Sequence, residues 1–171
     1  MIFKRADIKD AKLIENSMKE IRSNMKDPSM YVIDSEEDLR CYIDGTHGFA
    51  LLAFEEETLA GFFIFRFPDV NETDHLGEYL QLSDAEKEHV VYMDSAAVFP
   101  AFRGQGLQGK LLRKGEEMLK DTDYTIALAT IAPDNPASLN TLLKDGFEII
   151  TTTKKYGGLI RHVLHKQLGD S

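Results

Sequence analysis

The chain has 171 residues, 43% apolar and 29% charged, a length and balance that suit one packed domain and exclude wholesale disorder. Its 20 Lys and Arg face 29 Asp and Glu, a net charge of −9, which disfavours a nucleic-acid-binding surface because phosphate contacts need clustered cations. One cysteine, Cys41, excludes an internal disulfide framework and a cysteine-rich zinc site; with no long apolar run and no apolar signal core after Met1–Asp7, the expectation is a cytoplasmic protein that engages neither membrane nor nucleic acid.

Met1–Arg5 reads as a short first strand. Ile14, Met18, Ile21 and Met25 recur at i, i+4, i+7 and i+11, one face of a helix for which Asp7 is the expected N-cap. Ser35 with Asp38 forms a capping-box pattern for a second helix, with Leu39, Tyr42 and Ile43 on its apolar side and Gly45 as its stop. Phe49–Phe54 and Gly61–Phe67 are apolar runs separated by the acidic stretch Glu55-Glu56-Glu57-Thr58 and predict an antiparallel hairpin. Pro68–His89 sets Asp69, Glu72, Asp74, Glu78, Asp84, Glu86 and Glu88 against Lys87 alone, and predicts a long surface connection with one or two helical turns. Val90–Val98 is the next strand. Leu107, Leu111, Leu112, Met118 and Leu119 mark a longer helix, and Thr125–Ala132 a buried strand. Pro136–Asp145 is a short helix capped by Asn135 and ended by Gly146; Phe147–Thr153 and Leu159–Leu168 close the fold around Gly157-Gly158. The order β-α-α-β-β-β-α-β-α-β-β predicts a single-domain α/β fold, a mixed, mainly antiparallel central sheet flanked by helices.

The segment Val98-Phe99-Pro100-Ala101-Phe102-Arg103-Gly104-Gln105-Gly106-Leu107-Gln108-Gly109 joins a strand to the long helix. Its three glycines let backbone N–H groups turn toward one point without Cβ obstruction. The helix that follows adds unpaired N–H groups and a positive dipole end. Together they form an anion site suited to a pyrophosphate, with Arg103 at its rim; the plainer reading is a tight strand-to-helix turn. Gly104-x-Gly106-x-x-Gly109 also matches the dinucleotide fingerprint. Such a unit usually opens its domain and repeats as βαβ, whereas here two helices and a hairpin come first, so a dinucleotide-dependent oxidoreductase is a distant alternative.

On these residues the sequence resembles the GNAT superfamily of N-acetyltransferases, whose hallmark is a Gln/Arg-x-x-Gly-x-Gly/Ala loop between the fourth strand and a long helix. Arg103, Gly104, Gln105, Gly106 and Leu107 match it; Gln108 departs where the family prefers Gly or Ala, and Gly109 follows. Asn135-Pro136-Ala137-Ser138 with Lys144-Asp145-Gly146-Phe147 is similar to the family's Asn-x-x-Ala/Ser helix ending in Gly-Phe. The resemblance implies a GNAT-like fold over nearly the whole chain and acetyl-CoA as co-substrate. It places the pyrophosphate on residues 103 to 109 and the pantetheine arm near Asn135 and Ser138, paired like an added strand with the backbone of Ala96, Ala97 and Val98. Capping by Asn135 and a crowded strand end filled by two alanines are the plainer readings of the same residues. An amine acceptor, small-molecule or peptide, is implied as partner, and a homodimer is left open.

The implied reaction is direct acyl transfer from a thioester to a primary amine. The amine must lose a proton, the tetrahedral oxyanion needs a donor such as a backbone N–H near Val98, and the departing thiolate takes up a proton. Many members carry a tyrosine acid seven residues beyond the Asn, here Leu142; ribosomal-protein acetyltransferases carry a glutamate base five residues before it, here Thr130. Neither residue performs the usual proton transfer, so a non-catalytic acyl-CoA-binding module stays open. Asp94 and Tyr92, expected to share strand parity with Ala96 and Val98, are the candidate base and acid, against the plainer readings of an ion-paired strand residue and a core tyrosine. Tyr156, beside Gly157-Gly158, is a candidate to reach the acceptor, and Glu78 and Tyr79 to line its mouth. The five histidines form no ligand cluster in the sequence, and no metal is expected.

Overall fold

The strands are β1 (Ile2–Arg5), β2 (Gly48–Glu55), β3 (Thr58–Arg66), β4 (Val90–Val98), β5 (Ile126–Ile131), β6 (Glu148–Lys155) and β7 (Leu159–Gln167). The helices are α1 (Ala11–Ser23), α2 (Glu36–Tyr42), α3 (Asp84–Lys87), α4 (Leu107–Leu119) and α5 (Pro136–Lys144). In this computed structural model, which describes residues 1–169 apart from the side chain of Met30, the strands form one sheet in the order β1-β2-β3-β4-β5-β7-β6. Every neighbouring pair is antiparallel except β4 with β5. A repeated parallel βαβ frame of the dinucleotide-binding kind is therefore not the architecture.

Period-2 alternation sorts the strand residues onto two faces. On one face Ala50, Leu52, Phe62 and Ile64 meet Ile14, Met18 and Ile21 of α1 and Leu39 of α2. On the other, Phe49, Phe63, Phe65, Val91 and Met93 meet Leu107, Leu111, Leu112 and Leu119 of α4 and Leu142 of α5. Local chemistry fixes the helix ends with three departures from expectation. Asp7 caps the 3-10 turn Ile8–Asp10, in a reciprocal box with Asp10, rather than α1 itself. Met25 lies past the end of α1. Ser35 caps α2, its side chain accepting the Asp38 N–H, but the cap is one-sided where the sequence predicts a reciprocal box with Asp38.

The acidic connection between β3 and β4 is more buried than its composition suggests. Its 3-10 turn, Leu76–Leu80, sets Leu76 against Val90, Tyr92, Leu128 and Val163 in a third apolar cluster. His75 is 2% exposed and accepts the Gly77 N–H on Nδ1 at 2.9 Å, and Lys87 is 7% exposed and paired with Glu78. Glu78 pairs with Lys87 and Glu72 with Arg66, while the apolar residues between the carboxylates turn inward.

Two irregularities shape the functional end of the sheet. In the β3–β4 register Ile64 faces Ser95 and Phe65 faces Met93, so Asp94 is an extra, bulged residue. The parallel pairing of β4 with β5 covers only Val90, Val91 and Tyr92. Beyond Tyr92 the two strands diverge, and the β4 edge from Met93 to Val98 has no strand beside it on that side.

Candidate active site

The divergence of β4 from β5 opens a cleft of about 520 Å³. Of the sequence-selected residues, Tyr92, Asp94, Ala96, Gln108, Asn135 and Ser138 line it; Thr130 and Leu142 line it too. Ala97 faces away, into the α1–α2 cluster, at 9% exposure. The expected shared parity of Tyr92 and Asp94 with Ala96 and Val98 does not hold, because the bulge at Asp94 shifts the alternation by one. Ala96 and Val98 border the α4 cluster, whereas Tyr92 belongs to the Leu76–Val163 cluster on the other face.

At the mouth nearest α4 the backbone is set for a ligand approach. Gly104 and Gly106 hold φ of +81° and +70°, and a Cβ on either would meet nothing within 4 Å. The first helical bond of α4 closes from the Lys110 N–H to the Gly106 carbonyl, leaving the N–H groups of Leu107, Gln108 and Gly109 without intrahelical acceptors. The Leu107 side chain is core, and Gly109 lies where a Cβ would come within 3.1 Å of Arg113 and 3.7 Å of Thr141 on α5, so these positions offer backbone, not side chains. Arg103 donates through Nε to the Val98 carbonyl at 3.1 Å. The Phe99 N–H turns to Ala60 of β3, so strand alternation directs the Val98 N–H to the open edge. Gln108, the residue that departs from the family loop, accepts a 3.1 Å hydrogen bond from the Ser138 hydroxyl, and Asn135 caps α5 by accepting the Ser138 N–H at 3.3 Å. Gln108 thus ties α4 to α5 across the cleft floor.

The deeper end is ionic. Arg66 at the end of β3 donates through Nε to Asp94 at 3.1 Å and grips Glu72 with both terminal nitrogens at 2.5 and 3.2 Å. Its guanidinium lies between the rings of Tyr42 and Tyr92, 5.1 and 4.9 Å from their centroids. Burial pushes the Asp94 carboxyl above its usual range although Arg66 opposes the shift. The Tyr92 hydroxyl accepts the Leu76 N–H at 2.8 Å, and burial raises its pKa. Both sequence candidates for proton transfer are therefore held in structural contacts.

Two groups that sequence reasoning missed or ranked low line the same cleft. Asp34, in the loop before α2, makes no ion pair among the described residues; burial first, then Asp94 and Asp38, push its carboxyl up to about 6 against the pull of Arg66. No local motif marks Asp34, because its partners come from β3 and β4. Tyr156 sits at φ +50° in the β6–β7 turn, a left-handed conformation few non-glycine residues adopt. Its hydroxyl is 2.8 Å from Thr130 Oγ1, at the expected base position, and desolvation raises its pKa. Glu78 lies outside the cleft, paired with Lys87; the Tyr79 ring sits beneath Lys155. Away from the cleft, exposed Cys41, Asp44 and His47 bring ligand atoms within 4.8 Å of one another, a grouping not expected from sequence; His47 Nδ1 is hydrogen-bonded to Asp44 at 2.8 Å.

The acetyltransferase (GNAT) family model matches residues 18–147, and the chain belongs to this family of acyltransferases. Solved structures share the fold at low identity. YncA, a putative acetyltransferase from Salmonella typhimurium solved with acetyl-CoA, is 18% identical, with 100% of this chain and 95% of that one covered and a TM-score of 0.71. The ribosomal-protein-alanine N-acetyltransferase of Brucella melitensis is 18% identical, with 98% and 100% covered and a TM-score of 0.72. NAA60 of Arabidopsis thaliana, in complex with acetyl-CoA, is 11% identical, with 99% of each chain covered and a TM-score of 0.76. Among curated protein sequences none matches this chain. No helix among the described residues is long and apolar enough to cross a membrane.

Proposed function

We propose that the protein transfers an acetyl group from acetyl-CoA to a primary amine by direct attack. The observation that carries this reading is a cleft lined by Gln108 in the first turn of α4, by the β4 edge from Met93 to Ala96, and by Asp34, a carboxylate with no ion pair among the described residues. The amides of Leu107, Gln108 and Gly109 and the αL glycines suit the pyrophosphate, with Arg103 beside them. The β4 edge suits the amides of the pantetheine arm, and the Val98 N–H is placed to stabilise the oxyanion. Asp34, rather than Asp94, takes the amine proton. The amine nitrogen bonds to the acyl carbon, the C–S bond breaks, and Tyr156 offers its O–H to the departing thiolate. Thiols titrate near 8.5, so this donor helps release without being indispensable. Tyr156→Phe is expected to lower kcat about tenfold, with the KM for acetyl-CoA unmoved, in a steady-state thiol-release assay.

Ligand-dependent melting and thiol release test the reading together. CoA at a hundredfold excess over its Kd should raise the melting temperature by about 5–10 °C, and NAD(P) should not. Gly106→Val should shrink that rise, since left-handed backbone costs a side-chain-bearing residue roughly 1–2 kcal/mol, or about tenfold in affinity. Thiol release should require an added amine. Melting protection by CoA without turnover across a broad amine panel would instead support the acyl-CoA-binding module.

A further inference from the structure

We infer that the acceptor is an amino acid or a close small-molecule relative, an amine that also carries a carboxylate, and that Lys155 receives that carboxylate. The inference rests on the acetyl-transfer reading above and deepens it.

Lys155 ends β6, lines the cleft and is 9% exposed. An ammonium taken from water needs an anion or a full set of acceptors. Three other cations withdrawn from solvent have one: Lys87 pairs with Glu78, Arg66 with Glu72 and Asp94, and Lys166 with Glu116 and Asp145 at 2.8 and 3.0 Å. Among the described residues no carboxylate reaches salt-bridge distance of Lys155. Its contacts are the Asp74 carbonyl at 3.5 Å, beyond good hydrogen-bond range, and the Tyr79 ring at 5.3 Å. At least two of its three N–H donors are therefore unused, and they belong to a side chain that borders the cleft.

The same cleft carries the complementary charge. Arg66 is matched by Asp94 and Glu72, which leaves Asp34 without an ion pair among the described residues. Arg161, 6% exposed, stands on the Lys155 side, with its guanidinium 5.8 Å from the Tyr156 ring centroid. The fields of Asp94, Arg161 and Arg66 are all felt at the Tyr156 hydroxyl, which lines the same cleft. A carboxylate without an ion pair and a buried ammonium without one, both among the described residues and both lining one cleft, fit a zwitterion. A polyamine would leave Lys155 facing a like charge, and an amine without a carboxylate would leave it unsatisfied. Transfer forms the N–C bond and breaks the C–S bond; the amine proton passes to Asp34, and CoA leaves as a thiolate that takes a proton from the Tyr156 hydroxyl.

The test measures thiol release from acetyl-CoA with the twenty amino acids, their carboxamides, and a neutral peptide with a free N-terminus. At least one amino acid should exceed its carboxamide in kcat/KM by about ten- to a hundredfold, the range of a hydrogen bond to a charged group. Lys155→Met should collapse that ratio toward one, while Lys155→Arg should keep most of it. Because Lys155→Met removes an unpaired buried charge, its melting temperature without ligand should equal or exceed that of the wild type. Carboxamides, the peptide or polyamines reacting as well as amino acids would overturn the inference and leave acetyl transfer standing. A lower melting temperature for Lys155→Met with an unchanged ratio would overturn it equally, by showing a purely structural lysine. Absence of turnover with every acceptor, despite melting protection by acetyl-CoA, would overturn the transfer reading and this inference with it.

Discussion

Asp34→Asn should lose activity by about 10²–10⁴-fold, the range for removal of a positioned general base, while becoming more stable at neutral pH. The two effects share one cause. Asp34 is withdrawn from water without an ion pair among the described residues and feels Asp94 and Asp38, so its folded-state pKa rises from 3.8 to about 6. A carboxyl whose pKa is raised by folding stabilises the fold below its unfolded value, and that stability is lost as pH rises through the folded value. Above about pH 6 the charge is therefore a cost to the fold, on the order of 1–3 kcal/mol at 1.36 kcal/mol per pH unit. Asparagine removes it. Urea titrations should put the variant midpoint above wild type at pH 7.5 and bring the two together near pH 4. The same titration governs catalysis, since only the carboxylate accepts the amine proton. The wild-type kcat/KM should rise with pH through about 6, and that limb should vanish in Asp34→Asn. A variant that keeps the limb, or keeps most of its rate, would remove Asp34 from the mechanism and return Asp94 to consideration.

The contrast between Asp34 and Asp94 shows where sequence reading reaches and where it stops. Element order was legible because each signal is local: the 3.6-residue spacing of Ile14, Met18 and Ile21, the Ser35 cap, and the apolar runs of β2 and β3 on either side of an acidic turn. The loop before α4 was legible for the same reason, since φ of +81° and +70° at Gly104 and Gly106 is a demand that glycine meets. Strand parity was not legible at Asp94. A bulge inserts one residue without a mark in the sequence, and every face assignment that crosses it inverts. The burial of His75 and Lys87 was masked by acidic composition, because apolar neighbours separated by charges pack only once β5 and β7 are in place beneath them. Asp34 and Lys155 carry no local pattern at all. Among the described residues neither has an ion pair, and that belongs to the tertiary structure, where Arg66 is taken up by Glu72 and Asp94.

Gly115→Ala should destabilise the protein by about 3 kcal/mol or more, although alanine at a helix interior ordinarily gains about 1 kcal/mol over glycine. A Cβ there would lie 1.9 Å from Cζ of Phe65 and 2.4 and 2.5 Å from two further ring carbons. The ring has little room to yield. Phe65 is fully buried and stacked between Phe49 at 4.8 Å and Phe63 at 4.6 Å. Relief must therefore come from lifting α4 off β3, and α4 carries at its first turn the amides proposed for the pyrophosphate. The lesion should thus read twice, as a lower urea midpoint and as weaker melting protection by CoA, from a residue outside the cleft lining. Phe65→Leu in the Gly115→Ala background should recover part of both losses, although Phe65→Leu alone is destabilising. The double variant should then be less damaged than the sum of the singles. An unchanged midpoint in Gly115→Ala would mean that α4 does not sit on Phe65 at this distance, and the placement of its first-turn amides over the cleft would fall with it.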